Sequence, residues 1–122
     1  MHSPYKGKTG LTRLWNALGY SMHGLRAAYQ HEDAFRMEVL AAAVAIPVAL
    51  FLPVGYLGKA LMIGSILLVM IVELINSAIE ATVDRISLDD HDLAKRAKDI
   101  GSAAVLFSII NAIAVWGLVL LA

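Results

Sequence analysis

The sequence predicts an all-α membrane protein: an N-terminal amphipathic surface helix followed by three transmembrane helices. Three observations carry that class. Of the 122 residues, 59% are apolar and only 16% are charged, whereas soluble domains carry roughly a quarter charged. Charge is absent from three long runs, Val39 to Gly58, Ala60 to Val72 and Ile100 to Ala122. Ahead of those runs, apolar residues recur in steps of three and four. A soluble fold of this size buries only about 60–70% of its unfolded surface, too little to hide so much apolar chain.

The first element covers about residues 11–30. In LTRLWNALGYSMHGLRAAY, Leu11, Leu14, Trp15, Leu18, Met22, Leu25 and Tyr29 share one helical face, with Arg13, Asn16, His23 and Arg26 elsewhere. Such a helix, with Trp and Tyr ahead of a first span, is expected on the cytoplasmic membrane surface. The first span covers about 38–55 and closes at Pro53-Val54-Gly55, a turn-like stretch suited to a tight hairpin. Its internal Pro47 is tolerable in a membrane helix whose neighbours satisfy the freed carbonyl. Crossing the bilayer takes about twenty mostly apolar residues. The second uncharged run is shorter than that, so the second span, about 60–82, must continue through Glu73 and Glu80. The third span covers about 100–121. Residues 1–122 are read as a single integral-membrane domain.

Orientation follows from the basic residues. Lys6, Lys8, Arg13, Arg26 and Arg36 precede the first span, and Arg85, Lys95, Arg96 and Lys98 lie between the second and third. The positive-inside rule places all of these in the cytoplasm and leaves Lys59 outside. The N-terminus is then expected in the cytoplasm and the C-terminus on the outer side. The polar N-terminal stretch is not expected to be a signal peptide, since it lacks a short apolar core with a cleavage site.

Composition and missing motifs exclude several chemistries. Without cysteine there is no disulfide framework or thiolate metal site. Ten basic and ten acidic residues leave no net field for nucleic acid. Gly7-Lys8-Thr9 resembles the end of a phosphate-binding loop, but His2 stands where the first glycine is required.

The informative segment is VELINSAIEATVDR, Val72 to Arg85. Glu73, Asn76, Glu80 and Asp84 project at about 0°, −60°, −20° and +20° on a helix, so one face carries three carboxylates and an amide. Counting from Lys59 at the outer interface, Glu80 lies about 31 Å away, near the inner interface, with Glu73 about 10 Å deeper. Intramembrane carboxylates mark function by default. This face can ligate a divalent cation, above all magnesium working with phosphates; it can relay protons or ions; or it can pair with basic residues of a neighbouring helix. Glu32, Asp33 and Glu38 lead into the first span, and Asp89-Asp90-His91-Asp92 precedes Lys95-Arg96 and Lys98-Asp99. Such a mixture of acidic oxygens and cations suits a nucleotide phosphate. For Asp89–Asp92 the simpler reading is a solvated loop that caps the next helix.

RLWNALGYSMHGLRAAYQHEDAFRME, VMIVELINSAIEATVDR and HDLAKRAKDIGSAAVL together resemble the prokaryotic diacylglycerol kinases, from about Leu11 to Leu121. The resemblance implies a homotrimeric enzyme of the bacterial inner membrane. Such an enzyme moves the γ-phosphoryl of Mg-ATP to diacylglycerol, giving phosphatidic acid, at sites built between protomers. By the same resemblance Glu73 is the general base, Glu32 and Glu80 are the Mg2+ carboxylates, and Asn76 supports them. Lys98 resembles the phosphate-contacting lysine, with Asp99 beside it, and His91 falls in a loop near the nucleotide. Arg13 and Ser102 match positions near the lipid and the reacting groups. Asn16 and His23 stand where the best-known members carry lysine. The small residues Gly101, Ser102, Ala103 and Ala104 offer a surface for a second protomer. Three rivals remain open at this level: an undecaprenol kinase of the same family, a small proton or ion conductor using Glu73 and Glu80, and a catalytically inert scaffold in which the stripe only pairs protomers.

Overall fold

The computed structural model describes residues 10–86 and 91–122. Four helices fill nearly all of that: α1 (Gly10–His31), α2 (Asp33–Phe51), α3 (Tyr56–Ile86) and α4 (Asp92–Leu121). The Gly7-Lys8-Thr9 and Asp89-Asp90 stretches weighed above lie outside the described residues. Helices α2, α3 and α4 are each long and apolar enough to cross a membrane. Helices suit a bilayer because each satisfies its own backbone polar groups without water.

A single residue separates α1 from α2. Glu32 is extended, at φ −118° and ψ 108°, although its N–H still donates to the Ala28 carbonyl at 2.9 Å. Arg36 closes this joint. Its Nη1 donates to the carbonyls of Tyr29 at 2.8 Å and Gln30 at 3.0 Å, and its guanidinium pairs with Asp33. A helix end leaves its last carbonyls without intrahelical partners, and a cation is favoured there. Helix α2 therefore begins five residues before the expected span. It stops at Phe51 because Leu52 is extended ahead of Pro53, a residue whose ring disfavours helix in its predecessor. The Lys59 ammonium, from the first turn of α3, donates back to the Leu50 carbonyl and caps α2. Pro47 sits within α2 without ending it.

Helix α3 is the centre of the fold, with α2 and α4 packed along it. The α3–α4 pair is antiparallel. A Cβ at Gly58 would lie 3.0 Å from Val119, Trp116 Nε1 donates to the Met62 carbonyl at 3.1 Å, Asn76 packs on Gly101, and Asp84 pairs with Lys98. Small residues make these approaches possible: Ala42 and Ala49 on α2, and Gly101, Ser108 and Ala112 on α4, are buried. Helices in lipid associate through such close packing, since burial of apolar surface gives them little drive. Gly101 thus serves the chain's own α3–α4 contact, a correction to its expected place on an intermolecular surface. Ser102, Ala103 and Ala104 do remain exposed. Helix α1 buries only Ala28 and leaves Leu11, Leu14, Trp15 and Leu18 uncovered.

Candidate active site

The buried row of α3 runs Met62, Ser65, Val69, Glu73 and Asn76. Steps of three and four keep these residues on the face that meets α2 and α4. The inner half of that row is polar. Glu73 is 5% exposed and Asn76 8%, while Glu80, a turn further on, is half-buried. Glu32 enters from the α1–α2 joint, also half-buried. The charges of Glu32 and Glu80 both reach Glu73. One chain therefore gathers three of the acids singled out from the sequence, with Glu32 and Glu80 near the buried carboxylate of Glu73.

A fourth acid belongs with them: Glu38, which the sequence sets at the start of the first span without a role of its own. Glu38 lies on α2 between the buried Phe35 and Ala42, at helical steps of three and four. Its Oε1 is buried without a hydrogen-bond partner among the described residues, and it interacts electrostatically with Glu73. The spacing from Phe35 to Ala42 was the available signal. At the edge of an apolar run, however, Glu38 reads as an interfacial charge.

Asn76 Oδ1 is likewise buried and unpartnered among the described residues. It is pressed against α4 at Gly101, where a Cβ would collide with Oδ1 and lie 3.2 Å from Cγ. The glycine thus gives the amide its room.

At the cytoplasm-facing end expected from the charges, Lys98 Nζ pairs with Asp84 at 2.6 Å. For Asp84, pairing with a neighbouring helix is therefore what the stripe does. Asp99 turns the other way, to Lys95 at 2.7 Å, and is 64% exposed at its side chain. His91 caps α4, its Nδ1 accepting from the Leu93 N–H at 3.0 Å, which matches the capping reading of that segment. Arg13 and Ser102 are exposed on α1 and α4. Neither makes a hydrogen bond or ion pair among the described residues. The chain thus brings together Glu32, Glu73, Asn76 and Glu80, joins Lys98 to the far end of the same face, and leaves Arg13, His91, Asp99 and Ser102 pointing elsewhere.

Beside the acids, a groove of about 660 Å³ opens between α1 and α3. Gly24, Ala28 and Leu25 form one wall and Leu74, Ala78 and Ala81 the other, with Glu32 and Ser77 also lining it. An apolar trough beside buried carboxylates suits a lipid with a reactive polar end.

The model of the prokaryotic diacylglycerol kinase family matches residues 19–120. The chain belongs to that family. It is 54% identical to the diacylglycerol kinase of Pseudomonas aeruginosa, over 98% of this chain and 97% of that one. It is 53% identical to the diacylglycerol kinase of Escherichia coli, over 92% of each. A more distant relative, the diacylglycerol kinase of Helicobacter pylori, is 44% identical over 98% of this chain and 92% of its own.

Proposed function

We propose that the chain phosphorylates diacylglycerol with ATP at the cytoplasmic face of the bacterial inner membrane, giving phosphatidic acid. The observation that carries this reading is the buried Glu73, ringed by Glu32 and Glu80, beside an apolar groove in a member of this family. Phosphoryl transfer asks for positioning and charge neutralisation more than covalent chemistry, so a few well-placed side chains suffice.

Glu73 accepts the proton of the lipid hydroxyl, for which it needs only hydrogen-bond reach of about 2.6–3.2 Å. Its burial keeps water from competing with that hydroxyl. Asn76 holds its place between Glu73 and Glu80 because Gly101 admits it. Glu32 and Glu80 are the carboxylates for a divalent cation. Among the described residues no three acids or histidines form a closed metal cage. That donor set fits magnesium, which takes one or two carboxylates together with substrate phosphates. When bound with ATP, magnesium neutralises charge on the transferring phosphoryl group. Lys98 exchanges Asp84 for phosphate oxygens, and Asp84 keeps it aimed at this face beforehand.

The lining of the site is completed by other copies of the chain in a homotrimer. Arg13, His91, Asp99 and Ser102 belong to the nucleotide and lipid sites yet point away from Glu73 in their own chain. The exposed Ser102, Ala103 and Ala104 on α4 suit close contact with a neighbouring protomer. Helix α1, with Trp15 and Leu18 uncovered, rests on the cytoplasmic surface of the bilayer.

Purified protein supplied with Mg-ATP tests this against its rivals. The expected product is phosphatidic acid from diacylglycerol, with slower turnover of undecaprenol. Phosphorylation of undecaprenol alone would move the acceptor, and proton or ion flux through vesicles without ATP consumption would remove the kinase reading.

A further inference from the structure

The uncharged part of α4, from Ile100 onward, carries a single carboxamide, Asn111. The other buried or half-buried polar groups there are satisfied within the chain. Ser108 donates to the Val105 carbonyl at 2.6 Å, and Trp116 Nε1 donates to the Met62 carbonyl at 3.1 Å. Asn111 is exposed and makes no hydrogen bond among the described residues.

Its depth makes that position costly. Asn111 lies about 17 Å along α4 from Ile100 and about 15 Å short of Leu121, so as a span the helix carries it near the middle of a hydrocarbon core about 30 Å thick. An amide finds no water there. Polar side chains within spans turn to a protein neighbour or a water-filled cavity rather than to lipid.

The neighbour is not α3. Helix α4 packs along α3 with Gly101, Ser108 and Ala112 buried, and Asn111 lies about 100° round the helix from Ala112. On that second face Ala104, Phe107, Asn111, Ala114 and Leu118 are all exposed. They follow one another in steps of three, four, three and four. Steps averaging 3.5 residues are the spacing with which one helix packs along another, and a lone asparagine in such a seam fixes register and oligomer state. Ala104 and Ala114 let a partner backbone come close. The seam also continues the exposed Ser102–Ala104 surface assigned above to contact between protomers.

We infer that this seam seats against a helix of a second copy of the chain, and that the Asn111 amide hydrogen-bonds across the contact near mid-membrane. The inference rests on the homotrimer of the functional reading and deepens it, by naming the face of α4 and the side chain that hold the copies in register. Apolar helix faces alone gain little by leaving lipid, so an interhelical hydrogen bond supplies both attraction and alignment.

The test measures association of the full chain in phosphatidylcholine vesicles. The protein has no cysteine, so Ala122→Cys gives a single labelling site. Energy transfer between donor- and acceptor-labelled chains is then followed as they are diluted with lipid. Asn111→Val removes both hydrogen-bonding groups at similar volume. One interhelical bond is worth about threefold in association, so three of them in a trimer predict assembly about 30-fold weaker. Asn111→Gln keeps the amide and should lose less than about fivefold, with helicity at the parent level in both variants. Unchanged association of Asn111→Val would leave the amide facing lipid and overturn the proposal. Equal losses in the two variants would reduce the seam to packing and do the same. A parent protein that stays monomeric at every dilution would instead refute the homotrimer itself.

Discussion

Substituting Gly101 by alanine adds one methyl group where α4 meets Asn76. An ordinary carbon–carbon contact sits at about 3.5–4.0 Å. The new Cβ would stand 3.2 Å from Asn76 Cγ and overlap Oδ1. Turning the amide about χ2 moves Oδ1 but leaves the Cγ contact, and with Asn76 only 8% exposed there is little space to withdraw into. Overpacking of this kind costs about 1–3 kcal/mol of stability. The catalytic loss should be larger, because displacing a positioning group by about 1 Å can lower turnover about 100-fold. The assay is ATP-dependent diacylglycerol phosphorylation by Gly101→Ala, paired with thermal unfolding in the same detergent. Adding Asn76→Ala should cancel the stability cost, because the overlap disappears, and so give a clear coupling between the two sites. Gly101→Ala with parent-level activity and stability would refute the packing argument.

Other expectations concern the remaining parts of the site. Glu80→Gln should raise the magnesium concentration needed for half-maximal activity by at least severalfold, read from a magnesium titration at fixed ATP. Arg36→Ala should remove the cap on α1 and loosen the Glu32 joint, at about 1 kcal/mol, with amide exchange rising at residues 29–33. Lys98→Met should raise KM for ATP, whereas Asp84→Asn, which removes one carboxylate partner of the lysine, should alter it far less.

Much of this arrangement is legible in the sequence because a helix fixes rotation. The spacing of Glu73, Asn76 and Glu80 is enough to put them on one face, and burial falls from Glu73 to Glu80 to Asp84 as that face leaves the packed interior. Pro53 announces the end of α2, although the last helical residue depends on the extended Leu52. The joint at Glu32 has no such marker: no glycine or proline stands between Gln30 and Arg36, and what holds the break is the Arg36 side chain. Glu38 and Gly101 stand out in the sequence, but what they pack against does not, for a related reason. Their roles depend on which neighbour each helix presses against. A local pattern cannot distinguish a glycine that admits an asparagine of its own chain from one that meets a second protomer.

The central claim is that lipid phosphorylation runs through the buried carboxylate of α3. Lipid-dependent phosphorylation by Glu73→Gln, with folding and assembly checked on the same preparation, tests it most directly. The amide keeps the shape and loses the proton-accepting charge, so activity should fall by about 100-fold or more, the usual contribution of a general base. Parent-level activity in that variant would contradict the account.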